Sequence, residues 1–176
     1  EAEDNLLRLD RTLARLFSLL DQKVGLARTL IVLSSDHGVD ASPEYSLSLG
    51  FAAGRHDPVA MLRTVNDGLR KRLKVDEDLV VEFWNPGLYL NLEAIEQHKL
   101  DVRRVERMVV EEVLEIPGFA YAVTRTDLLA GRIGGDPILQ KLQRSFHPRR
   151  SGNVLVVQSP SWYLYSKPGG ASAMHG

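Results

Sequence analysis

The chain has 176 residues, 44% of them hydrophobic and 26% charged, with a formal net charge of −1 and no cysteine. This balance describes a folded globular chain of one domain, or a main layer with one inserted lobe, and argues against disorder. The near-neutral charge offers no field for a nucleic-acid polymer, which leaves small substrates. Without thiols, any metal must be held by histidine, carboxylate or hydroxyl groups.

No apolar run reaches the roughly 18 residues of a membrane-spanning helix, and no signal segment is present. The chain starts Glu1-Ala2-Glu3-Asp4 without methionine and ends glycine-rich at Gly176, so both ends are expected to be cuts inside a longer protein.

From Asp4 to Val24, Leu6, Leu9, Leu13, Leu16, Phe17 and Leu20 recur at helical spacing, and Gly25 is a natural stop. Leu30-Ile31-Val32-Leu33 reads as a strand buried on both faces of a parallel sheet, followed at once by Ser34-Ser35-Asp36-His37-Gly38. A helix, a buried strand and a polar cluster form α/β grammar, in which ligands sit at the carboxyl ends of strands.

Asp57-Pro58 supplies an N-cap and a first-turn proline for a helix through Leu73. Residues 79–84 and 88–91 predict a hairpin turning at Asn85-Pro86-Gly87, and Asp101 caps a helix that Pro117-Gly118 ends before a strand at 119–123. This middle segment needs one more strand to resemble a split βαβ lobe, supplied by residues 47–51 or by Val154–Gln158. Asp136-Pro137 starts a further short helix, and the tail from Ser166 to Gly176 is expected to be mobile unless a metal at His175 pins it.

Asp36 and His37 place a carboxylate and an imidazole side by side where a strand ends, which is donor chemistry suited to a hydrolytic two-metal site. An ordinary turn cap beside a loop histidine accounts for the same residues by spacing alone. Arg55-His56-Asp57 sits at a helix N-terminus, a position suited to anions, but Asp57 as a simple cap with solvated neighbours explains it as well. His147-Pro148-Arg149-Arg150 is a small basic loop of the kind usually solvated, and His98 lies among charged surface residues. Trp84, Trp162, Tyr163 and Tyr165 suit either a substrate cleft or the core.

The opening helix with Asn5-Leu6-Leu7-Arg8-Leu9-Asp10, the apolar run, Ser35-Asp36-His37-Gly38 and Met174-His175-Gly176 together resemble the alkaline phosphatase superfamily, in its type I phosphodiesterase and nucleotide pyrophosphatase branch. The resemblance implies an alkaline phosphatase-like α/β fold: a parallel sheet layer carrying the site in residues 1–53 and 151–176, with an α+β lobe inserted over 54–150. It implies two zinc ions, Asp36 and His37 as ligands of one and His175 of the other, and a small phosphate ester as substrate. It also implies a periplasmic or secreted location.

The family's threonine or serine nucleophile, an early aspartate ligand and an Asp-x-x-x-His segment lie before the opening helix and are missing here. The resemblance implies that the parent is a phosphomonoesterase working through a phospho-enzyme, while this chain alone is expected to have incomplete sites and to turn over nothing. Phosphodiester or sulfate-ester hydrolysis and phosphomutase chemistry share the Asp-His element. A metal-free α+β binding module is the alternative from outside enzymology.

Overall fold

The computed structural model describes residues 1–164 and 173–175, the last three by their backbone. The chain divides into two compact units, Glu1–Gly38 and Val39–Gly176.

The first unit is built on α1 (Ala2–Lys23), with Glu3 and Asp4 in its first turn and Lys23 in its last, which complements the helix dipole. Gly25, at φ +89°, ends it, and the N–H groups of Val24 and Gly25 both bond to the Leu20 carbonyl. A turn of 3₁₀ helix (Leu26–Arg28) leads into extended chain. The expected buried strand at Leu30–Leu33 does not form: no described segment pairs with it, and Leu30 and Leu33 are 88% and 97% exposed. An apolar run creates the demand for burial, but a ladder needs neighbouring strands. The apolar stripe of α1 is in the same condition, since none of its residues is buried.

The second unit runs β1 (Val39–Ala41), α2 (Pro43–Ser48), β2 (Gly54–Arg55), α3 (Pro58–Leu73), β3 (Val80–Trp84), β4 (Gly87–Leu90), α4 (Leu92–Gln97), α5 (Val102–Leu114), β5 (Phe119–Thr124), α6 (Arg125–Leu129), α7 (Pro137–Ser145), β6 (Val154–Gln158), β7 (Trp162–Tyr163) and β8 (Ala173–His175). The helix starts at Asp57, Asp101 and Asp136 hold as the capping chemistry requires. Asp57 and Asp136 each accept from the N–H groups two and three residues on, and Asp101 accepts from that of Arg104.

The main sheet has the order β3-β4-β6-β5, antiparallel throughout. Of the two candidates for the fourth strand, Val154–Gln158 fills the place, whereas residues 47–51 end α2 and turn away. The arrangement is that of a split βαβ lobe in which the strand beside the hairpin comes last in the chain instead of first. Helices α3 and α5 pack against the sheet and enclose Val65, Leu69, Leu79, Leu88, Val105, Val109, Val154 and Val156. Each such side chain contributes about 1.5–3 kcal/mol by leaving water.

Buried Asn66 fastens α3 to β3. Its Oδ1 accepts from the N–H groups of Leu79 and Val80 at 3.1 and 2.9 Å, and its Nδ2 donates to the Val80 carbonyl at 2.8 Å. Two small pairings lie outside the main sheet: β2 runs parallel to β7, and β1 runs antiparallel to β8.

Candidate functional site

Asp36 and His37 lie in the irregular chain that follows the Leu30–Leu33 run, with side chains 85% and 38% exposed. Local hydrogen bonds set their geometry. Asp36 Oδ1 accepts from the His37 backbone N–H at 3.0 Å, and the Ser35 hydroxyl bonds to the His37 carbonyl. His37 Nδ1 is 2.7 Å from the Gly38 carbonyl, and because a carbonyl only accepts, Nδ1 carries a proton, which leaves Nε2 as the ring nitrogen that a metal could take.

That Nε2 lies 3.4 Å from Asp36 Oδ2. The separation exceeds the 2.7–2.9 Å of a charge-assisted hydrogen bond. It matches the edge, about 3.3 Å, of a tetrahedron with zinc–ligand bonds of about 2.0–2.1 Å. A carboxylate oxygen and an imidazole nitrogen are donor types that zinc accepts, and the Gly38 carbonyl orients the imidazole.

His175, the third expected ligand, sits on β8, and its backbone is the register partner of Val39 on β1. Its side chain lies outside the described residues, as do Tyr165 and the rest of the stretch to 172. Among the described residues no group of three or more His, Cys, Asp or Glu side chains could hold a metal.

The Arg55-His56-Asp57 cluster differs from an ordinary cap with solvated neighbours. Asp57 is the cap, but Arg55 Nε and Nη2 are held by Glu44 at 2.6 and 2.8 Å, so the guanidinium is already neutralised. The Arg55 hydrogen bond holds the Glu44 carboxyl down at about 2. His56 is 7% exposed, stacked between Phe119 and Trp162 with ring centroids 4.6 and 5.0 Å away. Burial lowers its pKa from the usual value, opposed by the nearby Gly118 backbone. No local pattern signals that environment, because Phe119 and Trp162 are distant in sequence.

The other candidates divide cleanly. His98 is a surface residue 2.7 Å from Glu77. His147 caps its own loop by accepting from the Arg149 N–H at 3.2 Å. Trp84 is 72% exposed and Tyr163 is buried, its hydroxyl donating to the carbonyls of Asp40 and Ala41.

Trp162 lines a cleft of about 630 Å³ with Val39, Asp40, Ala120, Tyr121, Ile138, Val157, Gln158, Ser159 and Pro160. The sequence leaves Trp162 open between a cleft and the core, and it carries no signal for the cleft's position beside β1. No described helix is long and apolar enough to cross a membrane.

Over residues 1–176 the sequence matches the family described as type I phosphodiesterase / nucleotide pyrophosphatase. Alkaline phosphatase PafA of Elizabethkingia meningoseptica is 30% identical over 176 residues, covering 96% of this chain and 31% of the relative. A protein named calcium-transporting ATPase, from Myroides odoratus, is 27% identical over 169 residues, covering 96% of this chain and 30% of the relative. The crystal structure of wild-type alkaline phosphatase PafA is similar to this fold with a TM-score of 0.79 at 26% identity, over 99% of this chain and 32% of that one. The chain thus spans a little under a third of the length of these relatives, and the alkaline phosphatase-like α/β fold expected of it is shared with a solved member. With the family match extending from its first residue to its last, the chain belongs to the type I phosphodiesterase / nucleotide pyrophosphatase family.

Proposed function

We propose that the parent of this chain is a zinc-dependent phosphomonoesterase, with Asp36 and His37 holding one metal, His175 contributing to a second, and a threonine or serine nucleophile supplied from outside residues 1–176. The observation that carries this reading is the Asp36–His37 pair: a carboxylate oxygen and an imidazole nitrogen 3.4 Å apart, with the other ring nitrogen held by the Gly38 carbonyl. Family membership supports a phosphate-ester hydrolase, and relatives named alkaline phosphatase support the monoester.

Zinc at these positions would supply positive charge to the phosphoryl oxygens. The chain's own contribution is positional. Asp36 and His37 hold their donor atoms at a spacing fixed by bonds within residues 35–38, and β8 anchors the backbone of His175 to β1. Two or fewer ligands per metal fall short of the three protein ligands of a catalytic zinc, so the chain alone is inactive in this reading.

The test is metal content and hydrolysis by the full-length parent, with Asp36→Ala and His37→Ala beside it. Two zinc ions per chain and faster turnover of a monoester than of a diester are expected, with both variants losing zinc and rate together. Faster diester turnover assigns the parent to phosphodiester hydrolysis. Absence of bound zinc and of hydrolysis returns the chain to a binding module.

A further inference from the structure

We propose that the cleft bounded by Val39, Tyr121, Ile138, Gln158, Pro160 and Trp162 receives the organic half of the phosphate ester, an alcohol bearing a ring and a hydrogen-bond acceptor. The proposal rests on the phosphate-ester reading above and specifies the substrate class for that site.

Position is the first argument. Val39 forms part of the cleft wall and is also the register partner of His175, so the cleft opens beside the strand that carries an expected zinc ligand. Chemistry is the second. Among the described residues the lining holds no lysine, arginine or histidine and includes Asp40, a lining that disfavours a phosphate group. Its walls of Val39, Ile138, Val157, Pro160 and Trp162 are apolar, and its volume of about 630 Å³ is ample for a ring.

Hydrogen bonding is the third argument. Asp40 is committed to the backbone N–H groups of Ala41 and Ser161, at 2.8 and 3.0 Å, and the Tyr121 hydroxyl donates to Asp136 at 2.9 Å. Gln158 is different: its amide nitrogen is buried with no acceptor. A buried donor without a partner carries a desolvation cost that a ligand can relieve. Gln158 lines the cleft, and a carbonyl or ether oxygen on the ring would accept from its amide.

The experiment uses the full-length parent with two monoesters, methyl phosphate and 4-acetylphenyl phosphate. Ile138→Trp fills the cleft from a partly exposed helix position, and Gln158→Leu removes the donor with little change of volume. Each variant is expected to lower kcat/KM for the acetylphenyl ester about 10-fold, while the methyl ester and inhibition by inorganic phosphate stay within about twofold. A second readout needs no turnover: titrated 4-hydroxyacetophenone should saturate the wild type and bind Ile138→Trp at least 10-fold more weakly. Equal loss on both esters, no loss on either, or unchanged alcohol binding overturns the cleft assignment alone. A parent that hydrolyses neither ester overturns the phosphate-ester reading beneath it.

Discussion

Val39 and His175 are register partners in an antiparallel ladder, although almost the whole chain separates them in sequence. Because the pairing is made by backbone, the imidazole can be removed without removing the strand. In the full-length parent, His175→Ala is expected to lower zinc content and phosphatase rate by at least the roughly 10–100-fold that loss of an outer-shell partner causes. The thermal midpoint of the metal-free protein should stay unchanged. Elemental analysis with parallel rate measurements checks this, and unchanged zinc with unchanged turnover would reduce His175 to a tail residue.

Asn66 satisfies three backbone groups of β3 and the residue before it. Asn66→Ala leaves all three buried without partners and is expected to destabilise the chain by about 2–4 kcal/mol. Asn66→Asp should not restore the stability, because a carboxylate cannot donate to the Val80 carbonyl. Urea unfolding of the three proteins provides the comparison, and a loss below about 1 kcal/mol for alanine would show that α3 and β3 are held by packing alone.

Gly118 adopts φ +96°, and a Cβ there would lie 2.2 Å from the Trp162 indole and 2.8 Å from His56 Nε2. Gly118→Ala therefore combines a disfavoured backbone with a clash against two packed rings. A loss of about 2–4 kcal/mol is expected, with a shifted Trp162 emission spectrum. An unchanged spectrum and midpoint would mean that the stack yields freely.

Burial depresses the His56 pKa below its usual 6.5, so as pH falls below about 6.5 the unfolded chain binds a proton that the folded chain refuses. Stability should accordingly decline on the acid side of 6.5, and His56→Phe, which keeps a ring in the stack, should flatten that part of the profile. Thermal melting at intervals from pH 7.5 to 5 is the measurement. Parallel profiles for the two proteins would show that the imidazole does not titrate differently on folding.

The elements most legible in the sequence are those whose cause is local. Asp57, Asp101 and Asp136 each announce a helix because the carboxylate and the N–H groups it accepts lie within three residues. The turn at Asn85-Pro86-Gly87 likewise contains its own chemistry. Leu30–Leu33 marks the limit of that reasoning: its composition asks for burial, but the covering surface is not local, and the run stands exposed. His56 errs in the opposite sense, since its polar neighbours suggest solvent while distant rings enclose it. At the candidate site, the sequence offers Asp36 and His37 as adjacent donor types, and only the fold gives the 3.4 Å between them.

The strand between β4 and β5 in the main sheet is β6, the last of the four to appear in the chain. During synthesis the hairpin of β3 and β4 and both packing helices leave the ribosome first, with inward edges of β4 and β5 unpaired until residues 154–158 follow. The lobe therefore completes itself by a late, non-local insertion, which slows folding and leaves two strand edges open to pairing with other chains. Nascent chains halted before Val154 should be markedly more dependent on chaperones than those released after Gln158.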